Sequence, residues 1–540
     1  MSGRAILLQA LKSQRAERTP WVPFVGCHGG ALLGIPASEY LRSADRIVEG
    51  VKRAAELYRP DGLPVTFDLQ IEAEALGCAL SWAEDNPPAV SGHILEQKSL
   101  ADLRVPSLDQ GRIPTVLEAA RRLRSALPDV ALYGLATGPF TLGLHLAGAD
   151  LFIQMFDDPE GVARLLAFCR EVGERMIQGY IGAGCDVIAV VDPMTSQIGP
   201  DQFRRFVQEP MTRLFARIRE WGAAGSFFVC GHAQKNISVM CDCSPENVSI
   251  DENIPLDYVK DECLKRGISF GGNMRLTTVL LMGTPRDAAA HAADCMRVGG
   301  EVGFVLAPGC DLPYATPPEN LQAVAEVAHD PYRRQVAQEL ASAAESAFES
   351  RFDMSGYGRS DKVIIDIITL DSESCAPCQY MVESVKQVAP QFEDLLIWRE
   401  HKIKRREGVE FMMALMVRNV PTICIDGQIR FVSVIPPRDE LIQAIQDRIN
   451  EKLRMKIRRR QVRVTVVGAG SEVCEQTAKN VRQAIEELGA PVEFEQVEDE
   501  SLLRTFGARQ TPAVIISRSQ LKSAGAAPEV KIVKEWLKDL

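Results

Sequence analysis

No run of about 18 apolar residues occurs anywhere in the chain, and a bilayer-spanning helix needs roughly that length. No membrane partner is therefore expected. The opening segment, MSGRAILLQALKSQRAERTP, lacks a continuous apolar centre and a small-residue cleavage site. It reads as an amphipathic helix rather than a secretory signal. Excess positive charge is missing too: 61 lysines and arginines against 72 aspartates and glutamates leave a net charge of −11. That balance disfavours non-specific nucleic-acid binding. Cysteine is too sparse for a secreted disulfide framework, with 14 in 540 residues. In a cytoplasmic protein, the expected setting, such cysteines are free thiols, metal ligands or redox groups.

What the chain does have is ordinary globular composition, 46% apolar, which excludes wholesale disorder. Its length implies about three domains. From residue 21 to about 329, short apolar runs alternate with longer amphipathic stretches. Runs at 21–26, 131–135, 187–191, 226–229 and 302–307 read as buried strands, and 159–179 and 201–221 as helices. This alternation points to a parallel sheet covered by helices, most economically a closed (β/α)8 TIM barrel over residues 1–340. Polar residues just past a strand then lie at the catalytic face.

Residues 341–361 read as a linker that ends in the polar stretch MSGYGRSD. Residues 362–452 open on the β run KVIIDIITL, which leads into SESCAPCQ. A basic, solvated connecting helix lies around 451–463, and residues 462–540 begin again with RVTVV. Both segments have a strand, a turn with cysteine, a helix, a later strand and a proline step, Pro421-Thr422 or Thr511-Pro512. The shared plan is a repeat of roughly 100 residues and implies two related α/β domains.

The sequence Cys375-Ala376-Pro377-Cys378 follows a β run and opens a helix. A helix N-terminus stabilises a thiolate through its unsatisfied N–H groups and partial positive charge. Cys375 is then the attacking thiol and Cys378 the resolving one. Half of a zinc site is the other use of this spacing, but no second CxxC or HxxxH lies nearby. Residues 362–452 resemble the thioredoxin/glutaredoxin superfamily, in which the proline matching Pro421 is cis and faces the dithiol. Residues 462–540 resemble the same superfamily in degenerate form, with Ser471-Glu472-Val473-Cys474 in place of the CxxC. A lone Cys474 still permits a mixed disulfide; a structural or docking role is the competing reading.

Within residues 1–340, two segments stand out as strand-end loops. One is Phe228-Val229-Cys230-Gly231-His232, the other Pro308-Gly309-Cys310-Asp311-Leu312-Pro313. Thiolates from two strand ends can converge on a soft metal ion such as zinc. Asp192 directly ends a strand, and Glu72, Glu74 and Asp251 are further candidate polar residues at the mouth. Cys78, Cys169, Cys185, Cys263 and Cys295 fall in helical or strand patterns and read as inert buried thiols.

The barrel resembles the uroporphyrinogen decarboxylase superfamily. Phe67-Asp68-Leu69, Glu72 to Gly77, Ser249-Ile250-Asp251-Glu252, Phe270-Gly271-Gly272-Asn273 and the GCDLPYATPPENL stretch carry the resemblance over most of residues 1–330. The decarboxylases have an arginine-rich N-terminal loop; this chain has Gly26-Cys27-His28-Gly29-Gly30 there. It therefore looks more like the superfamily's methylcobalamin-dependent methyltransferases. Those bind zinc through His-x-Cys and a distant cysteine. Cys230 and Cys310 match the thiolates, while Phe228 stands at the histidine position. His232 or His28 is then the nitrogen donor, with Cys241 and Cys243 as further thiols nearby.

The resemblance implies transfer of a methyl group between a corrinoid and a thiol-type or pterin acceptor. Zinc would hold the acceptor as thiolate. Asp68, Asp192 and Asp251 are the expected catalytic carboxylates, and His28, Glu74 and Asn273 the expected substrate or corrinoid pocket. No cobalamin-binding DxHxxG motif occurs in the chain, so a corrinoid protein or free cobalamin is the expected partner. Asp68 falls at the decarboxylases' pyrrole-binding aspartate, which makes tetrapyrrole decarboxylation the alternative. A disulfide reductase with the barrel as a binding scaffold is the third reading.

Overall fold

The computed structural model describes residues 1–341, 357, 362–373, 375–417, 419–460, 463–468, 470–490, 492–498, 503, 508–516 and 520–538. The expected linker falls mostly outside them. Two compact units emerge: Met1–Arg359 with Ile364–Arg438, and Ser360–Val363 with Asp439–Leu540.

In the first unit the strands are β1 (Gly62–Pro64), a small hairpin of β2 (Ala79–Ser81) and β3 (Ala89–Gly92), then β4 (Ala131–Thr137), β5 (Val187–Val191), β6 (Ala224–Val229), β7 (Asn247–Ile250), β8 (Ser269–Met274) and β9 (Phe304–Pro308). The main sheet has seven strands in the order β1-β4-β5-β6-β7-β8-β9. Every pairing in it is parallel. Helices such as Pro159–Gly182, Gln208–Glu220 and Pro285–Gly299 connect the strands. β4, β5 and β9 are buried throughout, as expected where a parallel sheet is covered on both faces.

The expected eighth strand at 21–26 does not form. Trp21 makes an isolated parallel bridge to Leu306, and its carbonyl accepts from the Asp61 N–H at 2.8 Å beside β1. Pro20 and Pro23 flank this bridge and have no N–H to extend a ladder. A parallel, TIM-like sheet of seven strands is thus the observed architecture. Its inner layer is aromatic. Phe24 meets Phe67, Tyr133 and Phe228 edge-on, with ring centroids 5.9, 6.2 and 5.2 Å apart.

The same unit contains a second sheet made of β10 (Val363–Thr369), β11 (Leu396–Lys402), β12 (Thr422–Ile425) and β13 (Gln428–Val432), in the order β11-β10-β12-β13. Helix Ala376–Val388 follows β10 and packs on the barrel. The Tyr380 hydroxyl donates to the Leu144 carbonyl at 3.0 Å, and Gln379 Nε2 to the Val90 carbonyl at 2.7 Å. Gln197 of the barrel donates to the Ser433 carbonyl at 3.1 Å and accepts from the Ile435 N–H at 3.1 Å.

The second unit contains β14 (Arg463–Val467), β15 (Glu493–Val497), β16 (Ala513–Ile516) and β17 (Gln520–Ala524), in the order β15-β14-β16-β17. β14 is parallel to β15 and antiparallel to β16. Strand order is therefore the same in the two C-terminal sheets. Val420-Pro421 and Thr511-Pro512 are both cis. Helix Glu472–Leu488 is capped by Ser471 and buries Cys474. With 1% exposure, Cys474 is closed to a partner thiol in this arrangement.

Candidate active site

Cys230 directly follows β6, Cys310 lies two residues past β9, and Asp251 directly follows β7. All three occupy carboxyl ends of parallel strands, where such folds place their chemistry. The Cys230 thiol donates to Cys310 Sγ at 3.2 Å. This bond and burial push the Cys230 thiol well above its ordinary pKa. Gly231 follows with φ +84°, a left-handed turn that favours glycine. The turn lets its N–H donate to Asp251 Oδ2 at 2.6 Å. Asn253 donates to both oxygens of the same carboxylate. Burial raises the Asp251 pKa to about 6.

These strand ends open on a cavity of about 470 Å³. Its opposite wall comes from the second sheet: Cys375 to Cys378, Lys404 and Pro421. Both cysteine pairs therefore face one space. Cys375 is the N-cap of helix Ala376–Val388. It is half-buried, whereas Cys378 is fully buried. The expected lowering of the Cys375 pKa by the helix end is outweighed. Hydrogen bonding with Cys378 and burial hold the thiol well above its ordinary value, while the Lys404 charge pulls it down. Burial also raises Asp311 to about 8. Its carboxylate accepts from the Gly26 N–H at 2.8 Å, and a Cβ on Gly26 would lie 2.3 Å from Asp311 Oδ1.

The expected zinc donors do not assemble. Among the described residues, no three His, Cys, Asp or Glu side chains converge as metal ligands. Cys230 and Cys310 supply two soft donors. Phe228 fills the third position with a ring packed edge-on against Phe67 at 5.7 Å. His232 instead faces Asn419, and burial lowers its pKa. Cys241 pairs with Cys263 at 3.8 Å, and Cys243 contacts the Gln208 and Val239 carbonyls. The residues present therefore do not fit a zinc centre.

Several other expected site residues are committed elsewhere. Asp192 caps helix Pro139–Ala147: Oδ2 accepts from the Phe140 N–H at 3.1 Å, and Oδ1 from the Thr141 N–H and hydroxyl at 2.8 and 2.6 Å. Asp68 accepts from Arg112 at 2.5 Å and from the Gln70 N–H at 2.9 Å. Glu74 takes the other face of Arg112 at 2.6 Å. His28 is a satisfied core histidine. Nδ1 meets the Tyr314 carbonyl at 3.0 Å, Nε2 meets the Tyr58 hydroxyl at 2.7 Å, and burial lowers the pKa to about 4. Asn273 donates to the Ile254 carbonyl at 2.9 Å. Of the carboxylates expected to be catalytic, Asp251 lines the cavity.

Sequence reading missed the cations of the site. Arg275 and Lys404 line the cavity. Arg275 follows β8 directly, so its strand-end position was a usable signal. Lys404 sits in the charged run HKIKRRE, which looks like a solvated face. Arg112, which holds Asp68 and Glu74, carries no motif.

A parallel α/β sheet with a thiol pair at its carboxyl edge defines the class, and family matching agrees. The uroporphyrinogen decarboxylase (URO-D) family model matches residues 3–331, and the chain belongs to that family. The thioredoxin domain model matches residues 462–538, the segment without the CxxC pair. Methylcobamide:CoM methyltransferase MtbA of Methanosarcina acetivorans is 27% identical over 332 residues, 60% of this chain and 96% of the relative. A uroporphyrinogen decarboxylase of Anaeromyxobacter dehalogenans is 23% identical over 305 residues, 54% of this chain and 86% of that protein. Among solved structures, a methyltransferase from Methanosarcina mazei superposes with a TM-score of 0.57 at 25% identity, covering 62% of this chain and 99% of that one.

Proposed function

We propose that the first unit transfers a methyl group between a corrinoid and a small thiol held in the cavity. One observation carries the reading: Cys230 and Cys310 pair at two strand ends on the cavity wall. The likeness to methylcobamide:CoM methyltransferases over nearly their whole length supports it. A volume of about 470 Å³ suits a small-molecule acceptor. A corrinoid is larger, so it presents its cobalt-bound methyl at the mouth, either free or on a carrier protein. The thiolate attacks the methyl carbon, the cobalt–carbon bond breaks, and the electron pair stays on cobalt. Lys404 and Arg275 on the wall favour the anionic form of the acceptor.

Tetrapyrrole decarboxylation has less support, because the Asp68 carboxylate is already engaged by Arg112. The test is anaerobic incubation of the full chain with methylcobalamin and coenzyme M, a simpler thiol, or a reduced pterin. Loss of the methylcobalamin absorption with a thiol supports the reading. Turnover with the pterin alone changes the acceptor. Turnover of a porphyrinogen with no methyl transfer overturns it.

A further inference from the structure

We propose that Cys375 and Cys378 are the dedicated dithiol reductant of a Cys230–Cys310 disulfide, with exchange taking place inside the shared cavity. This inference does not depend on the methyl acceptor or on methyl transfer itself.

Three observations carry it. First, the Cys230 and Cys310 sulfurs stand 3.2 Å apart, and a shift of about 1 Å reaches disulfide length. Two thiols this close, with no third metal donor converging among the described residues, form an oxidisable pair. Second, Cys375 and Cys378 line the same cavity. Third, the dithiol is held against the barrel. Gln379 and Tyr380, one and two residues past Cys378, bond to the Val90 and Leu144 carbonyls. A CxxC turned inward in this way faces the barrel's own thiols rather than a folded client protein.

The exchange balances. A peroxide oxidises Cys230 and Cys310, giving their disulfide, water and an alcohol or a second water. The Cys375 thiolate attacks Cys230 Sγ, forming a Cys375–Cys230 mixed disulfide and releasing Cys310 as thiolate, which takes up a proton. The Cys378 thiolate then attacks Cys375 Sγ and releases Cys230. Two electrons have moved to the barrel pair, and Cys375–Cys378 is now the disulfide. A small external dithiol entering the cavity restores it.

The test uses the full chain. Reduced protein receives one equivalent of hydrogen peroxide, is quenched with acid and N-ethylmaleimide, and is mapped by peptide mass spectrometry. In the wild type the disulfide is expected at Cys375–Cys378, with Cys230 and Cys310 alkylated. In Cys378→Ser the expected species is a Cys375–Cys230 cross-link, absent from Cys375→Ser. A wild-type disulfide that stays at Cys230–Cys310 while Cys375 and Cys378 remain thiols overturns the proposal. Direct oxidation of the dithiol without the barrel pair also overturns it; its signature is an unchanged rate of Cys375–Cys378 formation in Cys230→Ser. Cys310→Ser breaks the same barrel pair, so a folding defect in Cys230→Ser does not remove the rate comparison.

Discussion

Cys230 and Cys310 are 80 residues apart in the chain, yet their sulfurs stand 3.2 Å from each other. Parallel strand topology brings them together: β6 and β9 end on the same edge of the sheet. If the pair serves methyl transfer, Cys230→Ala and Cys310→Ala should each lower the rate from methylcobalamin to a thiol by a factor on the order of 100, about 2.7 kcal/mol of barrier. Initial rates at saturating thiol check this. Unchanged rates in both variants would remove the pair from the chemistry.

Asp192 should matter for stability rather than for chemistry. Asp192→Ala strips partners from the Phe140 N–H, the Thr141 N–H and the Thr141 hydroxyl, all in the interior. The expected cost is about 2–4 kcal/mol. Thermal denaturation of the variant measures it. A full-length chain with wild-type melting but no turnover would instead return Asp192 to the catalytic list.

Arg112 binds Asp68 through a pair whose side chains are 8% and 0% exposed. Arg112→Ala leaves a buried carboxylate without its counter-charge, which costs about 3–5 kcal/mol. Asp68→Asn, which keeps the shape, should cost less. Urea titration of the two variants compares them, and equal losses would contradict the assignment of Asp68 as a buried ion-pair partner.

Glu72 gives the barrel a pH signature. Burial raises its pKa from 4.5 to about 7, against the lowering by its bonds to Thr137. The Thr137 hydroxyl also lies 2.8 Å from the Leu69 carbonyl. When it donates there, a protonated Glu72 can donate to it in turn. Between these pH values the native state keeps a proton that the unfolded chain has lost. Unfolding then releases a proton, so stability falls as pH rises from about 4.5 to 7, by on the order of 3 kcal/mol for this group. Glu72→Gln should flatten that part of the curve in melts between pH 5 and 8. A slope that survives the substitution would assign it to other groups.

Lys404 lowers the Cys375 pKa against the raising effects of Cys378 and burial. Lys404→Met removes that pull, so less of Cys375 is thiolate at a given pH. Alkylation of Cys375 by iodoacetamide at pH 8 should slow several-fold, read by peptide mass spectrometry. An unchanged rate would show that the lysine charge does not reach the sulfur.

Much of the architecture was legible from pattern. Buried runs at 131–135, 187–191 and 226–229 became β4, β5 and β6, because a strand covered on both faces must be apolar throughout. The motif plan that occurs twice in the C-terminal part was visible in the sequence, and its two copies fold into sheets of the same strand order. The run at 21–26 read as a strand on its apolar pattern and does not form one, because Pro20 and Pro23 remove the N–H groups a ladder needs.

What the sequence determined by itself was which residues stand at strand ends: Cys230, Cys310, Asp192 and Asp251 all do. Chain position cannot say where a side chain turns, because that depends on the loop arriving from the next strand. The structure turns Asp192 into the helix beginning at Pro139 and commits Asp68 to an arginine 44 residues away. It engages His232 with Asn419 and His28 with Tyr314 and Tyr58, so neither expected nitrogen donor joins the thiol pair. It also folds residues 364–438 onto the same unit as the barrel, so that Cys375 meets the cavity that Cys230 and Cys310 share. Such encounters are set by packing between distant segments, and only the tertiary structure decides them.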